Sequence, residues 1–328
     1  MKLLKLLKIT AAVGRARFFK KKAPLVVGWA ITDRCNRQCS YCDLPRQPRP
    51  EASTRQALGI IDHLAEMGTW SISFTGGEPL LRRDLGSIIE HAHQRGLETK
   101  VNSNGALVPA RIEELRGLDR MNLSLEGPEE IHDAIRGKGS FREVQAAAEA
   151  ARSAGIKITF ATVLTRLNLE AVDYLLDKAA QGRERVLFQP ATPWRLGGSR
   201  QNQLVPEQEA CRAAMARLIS KKKKGEQAIA NSLAGLRHLY HWPRPKIMSC
   251  ASGWISCRIE PDGEVRYCSR EPFPFTPGNC LSVPLERAFG NLTPVACHEC
   301  WCAGRVDLNL SFAPNPRTLV DQIRLLVS

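Results

Sequence analysis

The sequence predicts an α/β protein: a partial (β/α)6 TIM-like barrel with a small cysteine-rich unit at its C-terminus. Three observations predict it. Between residues 25 and 190, strand-like apolar segments alternate with helix-like ones, the pattern of parallel strands joined by crossover helices. The strand candidates number six, short of the eight of a closed barrel. After residue 240 the composition changes: Pro243, Pro245, Pro261, Pro272, Pro274, Pro277 and Pro284 appear with seven of the 11 cysteines, and long helical periods vanish.

The elements follow in order. Residues 2–19 fit a helix with Leu3, Leu7, Ala11, Gly14 and Phe18 on one side and its lysines mostly elsewhere; Lys20, Lys21 and Lys22 come next. Such a basic amphipathic segment, taken as residues 1–24, either packs on the domain or docks on an anionic membrane. The strand candidates are 25–31 (LVVGWAI), 71–75 (SISFT), 98–102 (ETKVN), 120–125 (RMNLSL), 156–163 (IKITFATV) and 185–189 (RVLFQ). Helical patterns occupy 53–67, 84–95, 109–116, 141–154 and 168–181. Functional residues are expected just past the strand C-termini, where sites form in such sheets. Residues 206–240 read as trailing helices, which closes a barrel unit at 25–240. In the remainder, 241–328, Asp262-Gly263 within IEPDGEVRYC is a turn signal between two short strands.

The chain has 328 residues, 43% hydrophobic and 24% charged, enough to bury an ordinary core. That excludes wholesale disorder, a collagen repeat and a coiled coil. No apolar run reaches the roughly 20 residues that span a bilayer. The net charge of +14 favours acidic partners: nucleic acid, an anionic membrane surface or an acidic substrate. Lys5 and Lys8 interrupt what would be the apolar core of a secretion signal. The expectation is a cytoplasmic protein, peripheral at the inner face of the membrane if the N-terminal segment docks there. In that reduced setting the cysteines are candidates for metal ligation.

Directly after the first strand candidate comes TDRCNRQCSYCDLP, which spaces Cys35, Cys39 and Cys42 as C-x3-C-x2-C. Chance would produce this pattern roughly 0.01 times in such a chain. A structural zinc site wants four closed ligands, and no histidine lies near this loop. Iron–sulfur clusters take thiolates. Three of them on a four-iron cluster leave one iron open to another ligand.

This loop and its companions resemble the radical S-adenosylmethionine (SAM) superfamily. TGGEP (Thr75–Pro79) follows the second strand candidate, VNSNG (101–105) ends the third, SLEG (124–127) the fourth, and RGKGSF (136–141) comes next. The resemblance covers about 25–190. It implies a [4Fe-4S] cluster on Cys35, Cys39 and Cys42, its open iron chelated by SAM. It further implies reductive cleavage of SAM to a 5′-deoxyadenosyl radical that abstracts a substrate hydrogen, with a reductase, ferredoxin or flavodoxin as electron donor. The residues also carry readings of their own. Gly76 and Gly77 allow close backbone approach to a ligand. Glu78, followed by Pro79, suits an ammonium or is an ordinary loop acid. Ser103 and Asn104 offer hydroxyl and amide groups for a ribose, and Ser124 a hydroxyl for a carboxylate or ribose oxygen. Arg136 suits the SAM carboxylate or is a surface arginine. Tyr41 packs near the adenine by resemblance, or is merely a packed aromatic. Glu126 stands where relatives often have Asp, and the carboxylate is retained.

The tail carries Cys250-x12-Gly263-x4-Cys268, then Cys297-x2-Cys300-x-Cys302. A hairpin that returns Cys268 near Cys250, plus a C-x2-C loop, suits a cluster, and the tail resembles the SPASM/twitch auxiliary domain. The full SPASM pattern, C-x2-C-x5-C-x3-C, is not met, because a single residue separates Cys300 from Cys302. The favoured reading is at least one auxiliary [4Fe-4S] cluster, on Cys250, Cys268, Cys297 and Cys300. Cys257 and Cys302 are substitutes, or ligands of a second, open-site cluster. Zinc on Cys297, His298, Cys300 and Cys302 is the alternative. Cys211 and Cys280 read as small buried residues.

The expected function is that of a radical SAM enzyme acting on a small-molecule, lipid-linked or peptide substrate. Only about 24 residues precede the first strand, too few for a leader-peptide-binding domain, which lowers the peptide reading unless a separate partner recognises the peptide. Nucleic-acid modification draws on the positive charge but finds no RNA-binding module and only 6% aromatic residues. A non-catalytic iron–sulfur or zinc scaffold is opposed by TGGEP and the open three-cysteine site. No catalytic acid or base stands out.

Overall fold

The structure is a computed structural model, and it describes residues 14, 22–46, 48–244, 248, 250–269, 278–293 and 300–312. Six strands form its body: β1 (Val26–Thr32), β2 (Ser71–Gly76), β3 (Glu98–Ser103), β4 (Arg120–Ser124), β5 (Lys157–Leu164) and β6 (Arg185–Pro190). Each pairs in parallel with the next. All six lie within a residue or so of their predicted places, because each is a short apolar run bounded by polar or Gly-containing turns.

The crossovers carry α1 (Thr54–Glu66), α2 (Leu85–Gln94), α3 (Val108–Arg111), α4 (Glu129–Arg136), α5 (Ser140–Ser153) and α6 (Val172–Gly182). α1 shows why they form. Ser53 and Gln56 close a capping box, satisfying amides that the first turn leaves open. Ala57, Ile60, Ile61 and Leu64 then fall on one face and are buried. They pack with Trp29, Ile72 and Phe74 from the sheet, each large side chain contributing about 1.5–3 kcal/mol. The opposite face of the sheet is polar and half-buried. There Asn102 donates to Ser73 Oγ at 3.0 Å and Asn122 donates to Asn102 Oδ1 at 2.7 Å, a row of side-chain bonds across three strands.

α4 was not expected. It follows Pro128 and buries only His132 and Ile135, too little for a period to show. α7 (Gln208–Lys223) and α8 (Leu233–Leu239) fill the predicted trailing region. The tail differs more. Its hairpin forms as read, β7 (Ser256–Ile259) against β8 (Glu264–Arg266), followed by β9 (Gly278–Asn279). Gly263 takes the positive φ of +86° that the turn needs. However, β7 also pairs in parallel with β1, Val27 opposite Cys257, so one sheet of nine strands runs β6-β5-β4-β3-β2-β1-β7-β8-β9. The tail also holds the short helices α9 (Leu285–Gly290) and α10 (Ala303–Phe312), which the sequence reading did not place. Asp307 of α10 accepts from Ser232 at the start of α8, with its hydroxyl at 2.6 Å.

The N-terminal helix expected at 2–19 lies outside the described residues, Gly14 apart. Lys22 is described, and its ammonium donates to the carbonyls of Gly290 (3.0 Å) and Leu292 (2.7 Å) at the end of α9. A cation on the open carbonyls of a helix end is favourable there. Among the described residues no helix is long and apolar enough to cross a membrane.

Candidate functional site

The predicted site residues of the barrel gather at the strand C-termini. The loop after β1 carries Cys35 and Cys42, half-buried, and Cys39, buried. Its shape is fixed from behind. Cys42 N donates to Cys39 O, Ser40 N to Ile135 O, Asp43 N to Leu196 O, and Leu196 N to Tyr41 O, all within 3.0 Å. The buried Asp43 carboxylate collects Arg46, Arg195 and Arg200. Those guanidiniums, Arg200 first, hold it below the usual carboxylate range. Arg195 also donates to the carbonyls of Cys42 (3.0 Å) and Cys39 (3.4 Å).

The glycines of TGGEP serve the same loop. A Cβ on Gly76 would lie 2.0 Å from Thr32 O, and one on Gly77 2.1 Å from Arg34 O. Gly77 N donates to Thr32 O and Glu78 N to Arg34 O, each at 2.8 Å. Both glycines therefore admit the backbone at the end of β1 and the start of the cysteine loop. Pro79, buried, starts the short turn Pro79–Leu81. Glu78 is fully buried and accepts from Asn104 N (2.7 Å), Ser103 Oγ (3.0 Å) and Leu80 N (3.2 Å). Burial pushes its carboxyl up against these donors. Asn104 Nδ2 in turn reaches Asn36 Oδ1 at 2.7 Å and Cys35 Sγ at 3.8 Å.

On the other side stand Tyr41, Arg136 and Glu126. Arg136 is no surface residue. Its Nε donates to Glu126 Oε1 at 2.8 Å, its Nη2 meets Tyr41 OH, and its Nη1 lies 3.7 Å from Cys39 Sγ. Tyr41 OH donates to Glu126 Oε1 at 2.8 Å, and the guanidinium stands 5.5 Å from its ring centre. Glu126, from which sequence reasoning drew nothing, is the hub of this group. A carboxylate just past a strand end, ten residues before a candidate arginine, was the available signal. Ser124 is half-buried at the end of β4, beside Ala161 of β5.

The donor set fits an iron–sulfur cluster. Burial pushes the Cys35 thiol up and the Cys42 thiol up to about 11, so the thiolates that ligate metal need a cation beside them. Bound iron supplies that charge, and the amide and guanidinium N–H groups already face two of the sulfurs. Among the described residues no three His, Cys, Asp or Glu side chains are gathered round one ion-sized point; the thiols of a multi-iron cluster bind different irons.

In the tail, burial first and then the neighbouring thiols of Cys302, Cys250 and Cys268 raise the pKa of Cys300, which puts these four cysteines in one neighbourhood. Cys297 and His298 lie outside the described residues. Cys257 faces the core from β7, 1% exposed, with Arg305 and Cys280 nearby, and burial pushes its thiol up to about 12. Cys211 is buried, as read.

The sequence signature of the radical SAM superfamily matches residues 29–179. The mycofactocin maturase MftC of Mycolicibacterium smegmatis is 30% identical over 276 residues, 79% of this chain and 68% of that protein. The PqqA peptide cyclase of Rhizobium meliloti is 28% identical over 257 residues, 75% of this chain and 67% of that one. Among solved structures, Streptococcus suis SuiB bound to its precursor peptide SuiA superposes with a TM-score of 0.69 at 16% identity, covering 84% of this chain and 67% of that one.

Proposed function

The chain belongs to the radical SAM superfamily and is an enzyme of SPASM type, and from that premise we propose that it modifies a peptide. In this reading a [4Fe-4S] cluster sits on Cys35, Cys39 and Cys42 in a barrel unit spanning 25–240, with SAM as its companion. At least one auxiliary [4Fe-4S] cluster sits in 241–328 on Cys250, Cys268, Cys297 and Cys300, with Cys257 and Cys302 as substitutes or ligands of a second cluster. The single observation that carries the reading is the convergence of four strand ends on one cysteine loop, with Asn104 and Arg136 aimed at its sulfurs. When bound, the cluster and SAM together supply a 5′-deoxyadenosyl radical. The chain itself shapes the loop through Gly76, Gly77 and Asp43, and offers Ser103, Ser124 and Arg136 as polar groups for SAM. The polar row Ser73, Asn102 and Asn122 lines the face of the sheet turned away from the helices, where a peptide segment could be hydrogen-bonded. The peptide substrate rests on the relatives, one of which is named a peptide cyclase. An external one-electron donor completes the set.

Reconstituted anaerobically, the protein should bind about eight iron atoms and release 5′-deoxyadenosine from SAM when reduced with dithionite. Cys39→Ala should abolish that release. An unchanged rate in this variant would sink the assignment, and about four irons in the parent protein would confine the clusters to the first site.

A further inference from the structure

We propose that Glu126 is the positioning residue of the SAM site: it holds one edge of the Arg136 guanidinium so that the other edge faces the cysteine loop and the carboxylate of SAM. This rests on the reading above, in which Arg136 meets SAM.

The geometry is directional. Glu126 is 0% exposed, and its backbone is fixed on both sides: its N–H donates to His132 Nδ1 at 3.1 Å, and its carbonyl accepts from Asn168 Nδ2 at 2.8 Å. Its two carboxylate oxygens have separate tasks. Oε2 accepts from Val163 N at 2.9 Å, which ties it to β5. Oε1 accepts from Arg136 Nε at 2.8 Å and from Tyr41 OH at 2.8 Å, and the salt bridge to Arg136 Nη2 is also 2.8 Å. With Oε2 pinned, Oε1 cannot swing, and the Nε–Nη2 edge of Arg136 is held against it. Nη1 remains, and it lies 3.7 Å from Cys39 Sγ. A guanidinium is a planar fork whose value lies in which edge it presents. A buried arginine without a carboxylate on its back edge would carry an uncompensated charge and no fixed orientation. Glu126 therefore acts through Arg136, whose Nη1 is the group that reaches Cys39 Sγ.

The test is a double-mutant cycle on the reconstituted enzyme. The readouts are SAM binding by anaerobic equilibrium dialysis and iron content. Glu126→Gln should keep the iron of the parent protein and raise the Kd for SAM about tenfold, the size of one lost charge-assisted hydrogen bond. In an Arg136→Met background the same substitution should change the Kd less than about twofold, because the edge it positions is gone. Equal penalties in both backgrounds, or an unchanged Kd for Glu126→Gln, would overturn the proposal. If Glu126→Gln loses iron, Glu126→Asp replaces it: the charge stays but the carboxylate retracts by one methylene, and the same cycle should show a smaller penalty that also vanishes in the Arg136→Met background. A parent protein that assembles no first cluster or binds no SAM would instead refute the underlying reading.

Discussion

Around Cys35, Cys39 and Cys42 the fold places main-chain hydrogen bonds from several elements; around Cys250, Cys300 and Cys302 the described contacts across elements are made mostly by side chains. The first loop is held by main-chain hydrogen bonds from β2, α4 and the segment after β6, and by two glycines that admit no Cβ. Among the described residues, the segments beside the second group are met by His238 Nε2 at Cys300 O (2.9 Å), Asn309 Oδ1 at Ala251 N (2.9 Å) and Gln189 Oε1 at Ala303 N (3.2 Å), and Cys302 O accepts from Val306 N at 2.8 Å as α10 begins. The first site is therefore shaped by the fold before any iron arrives. The expectation for the second is a greater dependence on what its thiols bind, with ligand binding supplying part of the folding energy there.

The sharpest way to break this contrast leaves every thiol in place. Gly77→Ala puts a methyl group 2.1 Å from Arg34 O, a backbone clash expected to cost about 3 kcal/mol. First-site iron and 5′-deoxyadenosine release should be lost while the tail keeps its iron. Full iron in this variant would mean that the loop is not pre-shaped.

Acid should act next, and on the barrel side. Burial, more than any neighbour, lowers the His132 pKa to about 3, and Nδ1 must stay unprotonated to accept from Glu126 N. The unfolded chain binds this proton near the ordinary value of about 6.5 and the folded chain does not. Stability from this group is thus complete above pH 6.5 and declines as pH falls from there toward 3, by about 2 kcal/mol at pH 5. Urea titrations of iron-free protein at pH 7 and pH 5 measure it, and His132→Phe should flatten the difference. The smallest effect belongs to the tail. His238→Phe keeps a ring against Trp301 and removes one hydrogen bond, about 1 kcal/mol, and should speed amide exchange near Cys300 while leaving the β1 loop protected. Equal loss of protection in both regions would erase the distinction.

The strands and the first cysteine loop were legible because parallel strands print as short apolar runs and the motifs sit at their ends. The glycines were legible as positions, but their purpose was not, since the atoms they make room for lie some 45 residues away in β1's loop. Asp43 and its clamp were invisible for the same reason: Arg195 and Arg200 stand about 155 residues further on. Glu126 was legible as a carboxylate, yet nothing local announces that Val163, Tyr41 and Arg136 meet on it. α4, α9 and α10 were missed because each buries few side chains along one face.

The pairing of β7 with β1 has a consequence for solubility. Without residues 256–259, the main chain of Val26–Trp29 would expose unpaired N–H and C=O groups along an apolar strand, the kind of surface on which a second copy of a chain can add itself. The C-terminal unit thus guards the barrel against self-association as well as presenting cysteines. A fragment ending near residue 240 is expected to precipitate whether or not its first cluster assembles.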